Sequence, residues 1–170
     1  TDTAAYEMQF VGPPFTFSIR KVGSNAGLLG QHAGVFANGA VFWMGKTGGF
    51  FVYDGTVKSL PCLVEDFVFT TNGNNPGINY DSGQIVFGGI NELYSEINWF
   101  YPTAGSTVVD RVVTYNYAER VWTTGTLDRW AQQYLKLLMQ QTLSPQTPQH
   151  FRLLMVFQMG QQFIMNTKQV

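Results

Sequence analysis

The sequence predicts an all-β fold of repeated four-stranded antiparallel meanders, and three observations carry that prediction. The first is Ala40–Gly55, AVFWMGKTGGFFVYDG, where two short apolar runs, Val41–Met44 and Phe50–Tyr53, flank a Gly-rich turn. Successive side chains of a strand point to opposite faces, so both faces of each run are apolar and both must be covered. The second is recurrence. Glu96–Tyr101 (EINWFY) again sets a Trp among apolar neighbours, Trp99 stands 56 residues after Trp43, and Tyr115-Asn116 falls where Tyr53-Asp54 fell. A period of that size marks an array of supersecondary units. The third is composition: 15% aromatic residues and 18 glycines suit short strands joined by tight turns.

Taken in order, Thr3–Phe10 reads as a strand that Gly12-Pro13-Pro14 ends, since proline gives no N–H to a ladder. In Phe15–Val22 (FTFSIRKV), Phe15, Phe17 and Ile19 alternate with Thr16, Ser18 and Arg20, the pattern of a half-buried strand with one wet face. Gly23–Gly30 is a Gly-rich connector without the spacing of a phosphate-cradling loop. Ala33–Ala37 leads through Asn38-Gly39, suited to the positive φ values of a type I′ turn, into Val41–Met44. Gly45–Gly49 then turns into Phe50–Tyr53, and Asp54-Gly55 into Thr56–Leu60. Three consecutive hairpins make a meander whose middle strands are apolar on both faces, the profile of one β-propeller blade covered by its neighbours.

Leu63–Phe69 (LVEDFVF) is expected as a connecting strand or turn, and Asn72–Gly77 (NGNNPG) as a loop. A second meander follows: Gln84–Ile90, Glu96–Tyr101, Arg111–Tyr117 and Arg120–Leu127. The expected layout is an incomplete propeller-like domain over residues 1–128, with a partial blade at 1–22, blade units at about 33–61 and 84–128, and an atypical tail at 129–170. Closing a propeller takes about four blades, so apolar blade faces are expected to be exposed in this chain taken alone. The opening TDTAAYEMQF is already strand-like and carries no start Met, as an internal fragment would be.

Bulk composition narrows the function classes. A chain of 170 residues is expected to form one domain with a real core, and 12% charged residues with 45% hydrophobic ones argue against disorder. The net charge of −1 removes the usual electrostatic basis for binding nucleic acid or an anionic membrane. A single cysteine, Cys62, forbids an internal disulfide and a Cys-rich zinc site, and is expected as a small buried hydrophobe. No run of about 18 apolar residues spans a bilayer, and no signal peptide is visible.

Candidate chemistry is sparse. His32 and His150 lie 118 residues apart in segments of different character, which disfavours a metal pair. Glu65, Asp66, Glu92 and Glu96 invite a glycosidase reading, which needs two carboxyls about 5–10 Å apart. Acidic residues at strand ends are more often solvated. Trp43, Trp99, Phe100, Tyr101 and Trp122 suggest a sugar-stacking platform, but at strand spacing aromatics are far more often core. No Ser-His-Asp or Cys-His motif is present. The expectation is therefore a protein without enzymatic activity, with no catalytic, cofactor-binding or metal residue and no cofactor.

Read together and in order, the phrases GLLGQHAGVFANGAVFWMG, FFVYDGTVKSLPC, VEDFVF, INWFYP and DRVVTYNYAERVWTTGTL resemble a family of tailed-bacteriophage virion structural proteins. They are similar to its propeller-type tail (nozzle or hub) proteins over about residues 1–129. The resemblance implies a structural part of the phage tail, located in the virion and assembled in the host cytoplasm. Its implied partners are other tail proteins and further copies of itself, with no specific nucleic acid and no membrane. A carbohydrate-binding or glycosidase-like propeller domain is the alternative, and a cellular interaction module of repeat type is a third.

The tail departs from that resemblance. All 11 acidic residues precede Trp130, whereas 10 of the 13 glutamines follow it. One expectation is a helix from Arg129 to about Leu143, capped by Asp128, and a strand within Phe151–Met159. The other is a shifted reading frame. Taking the third base of each codon with the first two of the next, back-translation of Phe157–Val170 permits SDGATIYYEHETG. That phrase is similar to the D-G-x-x-Y-Y-x-H-E-x-G the family implies beyond GTL-x-R, with one residue more before the Tyr pair. The nucleotide sequence from residue 130 onward decides between them.

Overall fold

The computed structural model describes residues 3–127 and the backbone of 153–156. Its chain is mostly β. Strands β3 (Gly34–Ala37), β4 (Ala40–Met44), β5 (Phe50–Tyr53) and β6 (Val57–Leu60) form one four-stranded antiparallel sheet in chain order. A second such sheet is β7 (Phe87–Asn91), β8 (Glu96–Tyr101), β9 (Arg111–Asn116) and β10 (Val121–Thr126). Before them, β1 (Ala4–Phe10) and β2 (Phe17–Ser24) make a hairpin, and β11 (Leu153–Val156) adds to its far edge in the order β11-β1-β2. The turn between β3 and β4 has positive φ at both Asn38 (47°) and Gly39 (77°), as a type I′ turn requires.

Strict alternation explains how the three units stack. On one face of the first sheet, Val35, Phe42, Met44, Phe50 and Leu60 join Ile97, Trp99, Val113, Tyr115 and Trp122 of the second sheet in one core. On its other face, Trp43 and Tyr53 pack with Ala5 of the hairpin and Ala26 of the connector, flanked by Val22, Val41, Phe51 and Val57. The middle strands are thus covered on both sides, which is why both of their faces are apolar.

The two four-stranded sheets meet along β3 and β7. His32 and Phe87 form a parallel bridge, the Gly88 amide donates to the His32 carbonyl at 2.7 Å, and the Trp99 indole N–H donates to the Ala33 carbonyl at 2.9 Å. The repeat is kept in register. Trp43 lies opposite Gly34 and Phe51, and Trp99 lies opposite Gly88 and Val113. Tyr53 faces Val41, and Tyr115 faces Ile97. Each Trp also looks back onto the unit that precedes its own sheet. A side chain at Gly88 would run into Val35 and come within 3.3 Å of the Trp99 ring, so the seam closes only over a bare backbone.

Three expectations need correction. Leu63–Phe69 is neither strand nor simple turn but contains a short helix, α1 (Glu65–Phe69). Val64 and Val68 sit one helical turn apart, Val68 is fully buried, and Glu65 and Asp66 occupy the first turn, where the amide ends favour carboxylates. The stretch from Gln84 does not begin a strand: Tyr80–Ile85 is a 3₁₀ turn and the strand starts at Phe87. In β2 the expected alternation is present, but the apolar face is not buried. Phe17 is 52% and Ile19 59% exposed, with Phe15 at 73% just before the strand. The hairpin packs through Ala5 and Glu7, so its Phe face points away from the first sheet. The helix expected from Arg129 lies outside the described residues, while the expected strand appears in part as β11, paired with β1.

Candidate functional site

Meanders put alternate turns at opposite ends, and here one end collects the long connections. The β4–β5 turn (45–49), the β8–β9 loop (102–110) and the whole segment from Pro61 to Val86 meet there. Backbone bonds hold them together: Asn79 donates to the Pro102 carbonyl at 2.9 Å, Ala104 to Gly77 at 3.0 Å, and Lys46 to Gly27 at 2.9 Å. Asn79 also spans the loops through its side chain, donating to the Ser106 carbonyl at 2.8 Å and accepting from the Asp81 amide at 3.1 Å. Asp110 pins the β8–β9 loop by accepting from the Thr103 amide at 2.8 Å and its hydroxyl at 2.6 Å.

An open cleft of about 210 Å³ lies at this end, lined by Leu29, Lys46, Tyr80, Gly83 and Gln84. At its Gly83 wall the backbone approaches Gly30 so closely that a β-carbon at Gly30 would collide with the Gly83 carbonyl. Burial, and then the nearby Glu65 carboxylate, push the Tyr80 hydroxyl above its ordinary pKa, so it stays a protonated donor at neutral pH. An ammonium, a phenol and an amide beside an aromatic ring can bind a small polar molecule. They contain no nucleophile paired with a base.

The residues singled out from sequence divide sharply. Trp43 and Trp99 are fully buried, and Tyr101, Trp122 and Phe100 are 1%, 8% and 9% exposed. They form the core rather than a platform. Trp99 and Trp122 stack at 6.1 Å, Phe50 lies 4.6 Å from Trp122, and the Trp122 indole donates to the Pro61 carbonyl at 2.9 Å. The four carboxylates are not brought together. Glu65 and Asp66 start α1, with Glu65 near the β4–β5 turn, whereas Glu92 and Glu96 border the β7–β8 turn at the opposite end of the sheets. His32 contributes its carbonyl to the β3–β7 seam, and His150 lies outside the described residues. Cys62 is half-buried beside the core, and burial pushes its thiol up to about 11, leaving it protonated at neutral pH.

Among the described residues no three of His, Cys, Asp and Glu converge as metal ligands, and no helix is long and apolar enough to cross a membrane. Sequence reasoning did not single out Lys46, Tyr80 or Gln84. The one signal was GKTGG, a lysine inside a glycine turn between two buried strands, but nothing in the order of residues brings Tyr80 beside it. No protein-family model matches the sequence, and no curated protein matches it either.

Proposed function

We propose that this chain is a non-enzymatic structural component of a phage virion tail, built of propeller-type blades and acting by assembly with neighbouring tail proteins and with itself. The observation that carries the reading is the matched placement of Trp43 and Trp99. Each sits on the second strand of its sheet, opposite a glycine, and each packs onto the preceding unit. Units stacked in chain order by one repeated contact are the arrangement of successive blades. The ordered phrases of the sequence supply the link to virion proteins. The separation of Glu65 and Asp66 from Glu92 and Glu96 speaks for a building block over a paired-carboxylate hydrolase made from these residues.

The experiment is localisation. Antibody raised against the chain is applied to purified particles of the phage whose genome carries its coding sequence, with gold detection in the electron microscope. Label on the tail is the expected result. Particles without label, confirmed by mass spectrometry to lack the protein, overturn the proposal.

One observation favours a second reading, a carbohydrate-binding propeller module: the Tyr80 cleft combines a half-exposed ring with polar groups at the end where the loops gather. Saturable binding of a soluble oligosaccharide that Tyr80→Ala abolishes would carry that reading instead.

A further inference from the structure

The β1–β2 hairpin turns an uncovered apolar face to the outside. Met8 pairs with Ile19 and Phe10 with Phe17, which puts these four side chains on one face, continued by Phe15. Phe10, Phe15, Phe17 and Ile19 are between 52% and 73% exposed. The ion pair of the hairpin, Arg20 with Glu7 at 2.6 Å, lies on the opposite face. Lys21, opposite Tyr6, is the one charge among the described residues of the Phe face. It stands at the far end of that face from Phe15.

Two copies of this face fit each other in one orientation. Let them be pressed face to face about a two-fold axis that lies between them and crosses the strands at the level of Gln9 and Ser18. The two sheets are then aligned, with β2 over β2 and β1 over β1 running in opposite directions. Phe17 of one copy stands over Ile19 of the other, Phe10 over Met8, and Phe15 over Lys21. Broad rings meet slender side chains, and the ammonium meets the face of a ring. An axis along the strands would instead set Phe17 on Phe17 and Lys21 on Lys21, ring against ring and cation against cation. The four exposed side chains offer on the order of 500 Å² per copy, taking roughly 200 Å² for a full aromatic side chain. Two copies together bury about 1,000 Å², the size from which a well-fitted contact is specific.

We propose that the Phe faces of two copies pack together in this antiparallel two-fold arrangement, each hairpin covering the other. The face is self-complementary, as a closed two-fold contact requires, and its charged pair is kept off the contact on the opposite face. The dimer rests on the geometry of the hairpin and not on a virion role, so either idea can fail while the other holds.

Light scattering of the whole 170-residue chain tests it, together with one charge variant and two cysteine variants. The wild type is expected at twice its 19.1 kDa, and Phe17→Lys at the single mass with an unchanged far-ultraviolet spectrum. Phe15→Cys and Lys21→Cys read the orientation. In the antiparallel dimer each of these thiols lies about 20 Å along the strands from its own equivalent, at six residues' distance, but directly across the ~10 Å gap between sheets from the other. A thiol-to-thiol reagent of that shorter reach should therefore join the two variants when they are mixed, and join neither when it is alone. A wild type of any other mass overturns the proposal, including a monomer in which hydrogen exchange shows Phe17–Ile19 covered by another stretch of the same chain. A dimer that survives Phe17→Lys overturns it as well. So does cross-linking within either variant alone and not between the two.

Discussion

Trp99 concentrates the energetics of the molecule in one side chain. It is fully buried between the two four-stranded sheets, lies 4.9 Å from Phe50, stacks on Trp122 and donates to the Ala33 carbonyl. Trp99→Ala removes those contacts and leaves a cavity too deep to collapse, so urea unfolding should show a loss of about 3–5 kcal/mol. Buried titratable groups make a second prediction. Burial raises Tyr101 from 10.0 to about 12 and Cys62 from 9.0 to about 11. Both folded values lie above the unfolded ones, so the unfolded chain releases its protons first as pH rises. Stability is full below about pH 9 and falls towards pH 12, with Tyr101 alone accounting for about 2–3 kcal/mol. Denaturation midpoints at pH 8 and pH 11 measure the drop, and Tyr101→Phe should flatten the upper part of it.

Elements were legible where pattern and burial agree. Val41–Met44 and Phe50–Tyr53 are apolar on both faces because they lie between layers, and that pattern names them as inner strands. Asn38-Gly39 and Asp54-Gly55 marked their turns for stereochemical reasons that act locally. Leu63–Phe69 was not legible, since seven residues hold too few periods to separate a helical turn from a strand, and the contact deciding it, Phe69 on Phe50 at 5.2 Å, is remote in sequence. In Phe15–Val22 the pattern was legible and its environment was not: alternation says which side chains share a face, never whether something covers it. The cleft was least legible of all, because Lys46 and Tyr80 meet only through the backbone bonds that fold 61–86 across the sheet ends. Gly88→Ala tests the seam at this scale. Its methyl group would meet Val35 and the Trp99 ring, and overpacking should cost about 1–3 kcal/mol, read as a shift of the urea midpoint at constant slope.

For the whole molecule, one core runs through both four-stranded sheets, so neither can open without exposing the other. Far-ultraviolet circular dichroism and tryptophan emission should therefore report one coincident unfolding transition for residues 34–126, and separated midpoints would show the sheets to be independent. The hairpin is different, joined to the rest through a small cluster around Ala5 and Trp43. Its amides should exchange with solvent faster than those of β4 and β8, a difference that amide exchange measured residue by residue reveals.

The three buried indoles also have an optical consequence. Their N–H groups end on different carbonyls: Trp43 on Ala26 of the connector, Trp99 on Ala33 at the seam between sheets, and Trp122 on Pro61 at the start of the long crossing. Each chromophore thus watches a separate joint of the molecule. In versions that keep one of them and carry Phe elsewhere, including at Trp130, the colour of the emitted light reports whether that joint is dry. A joint that parts ahead of the others would redden alone.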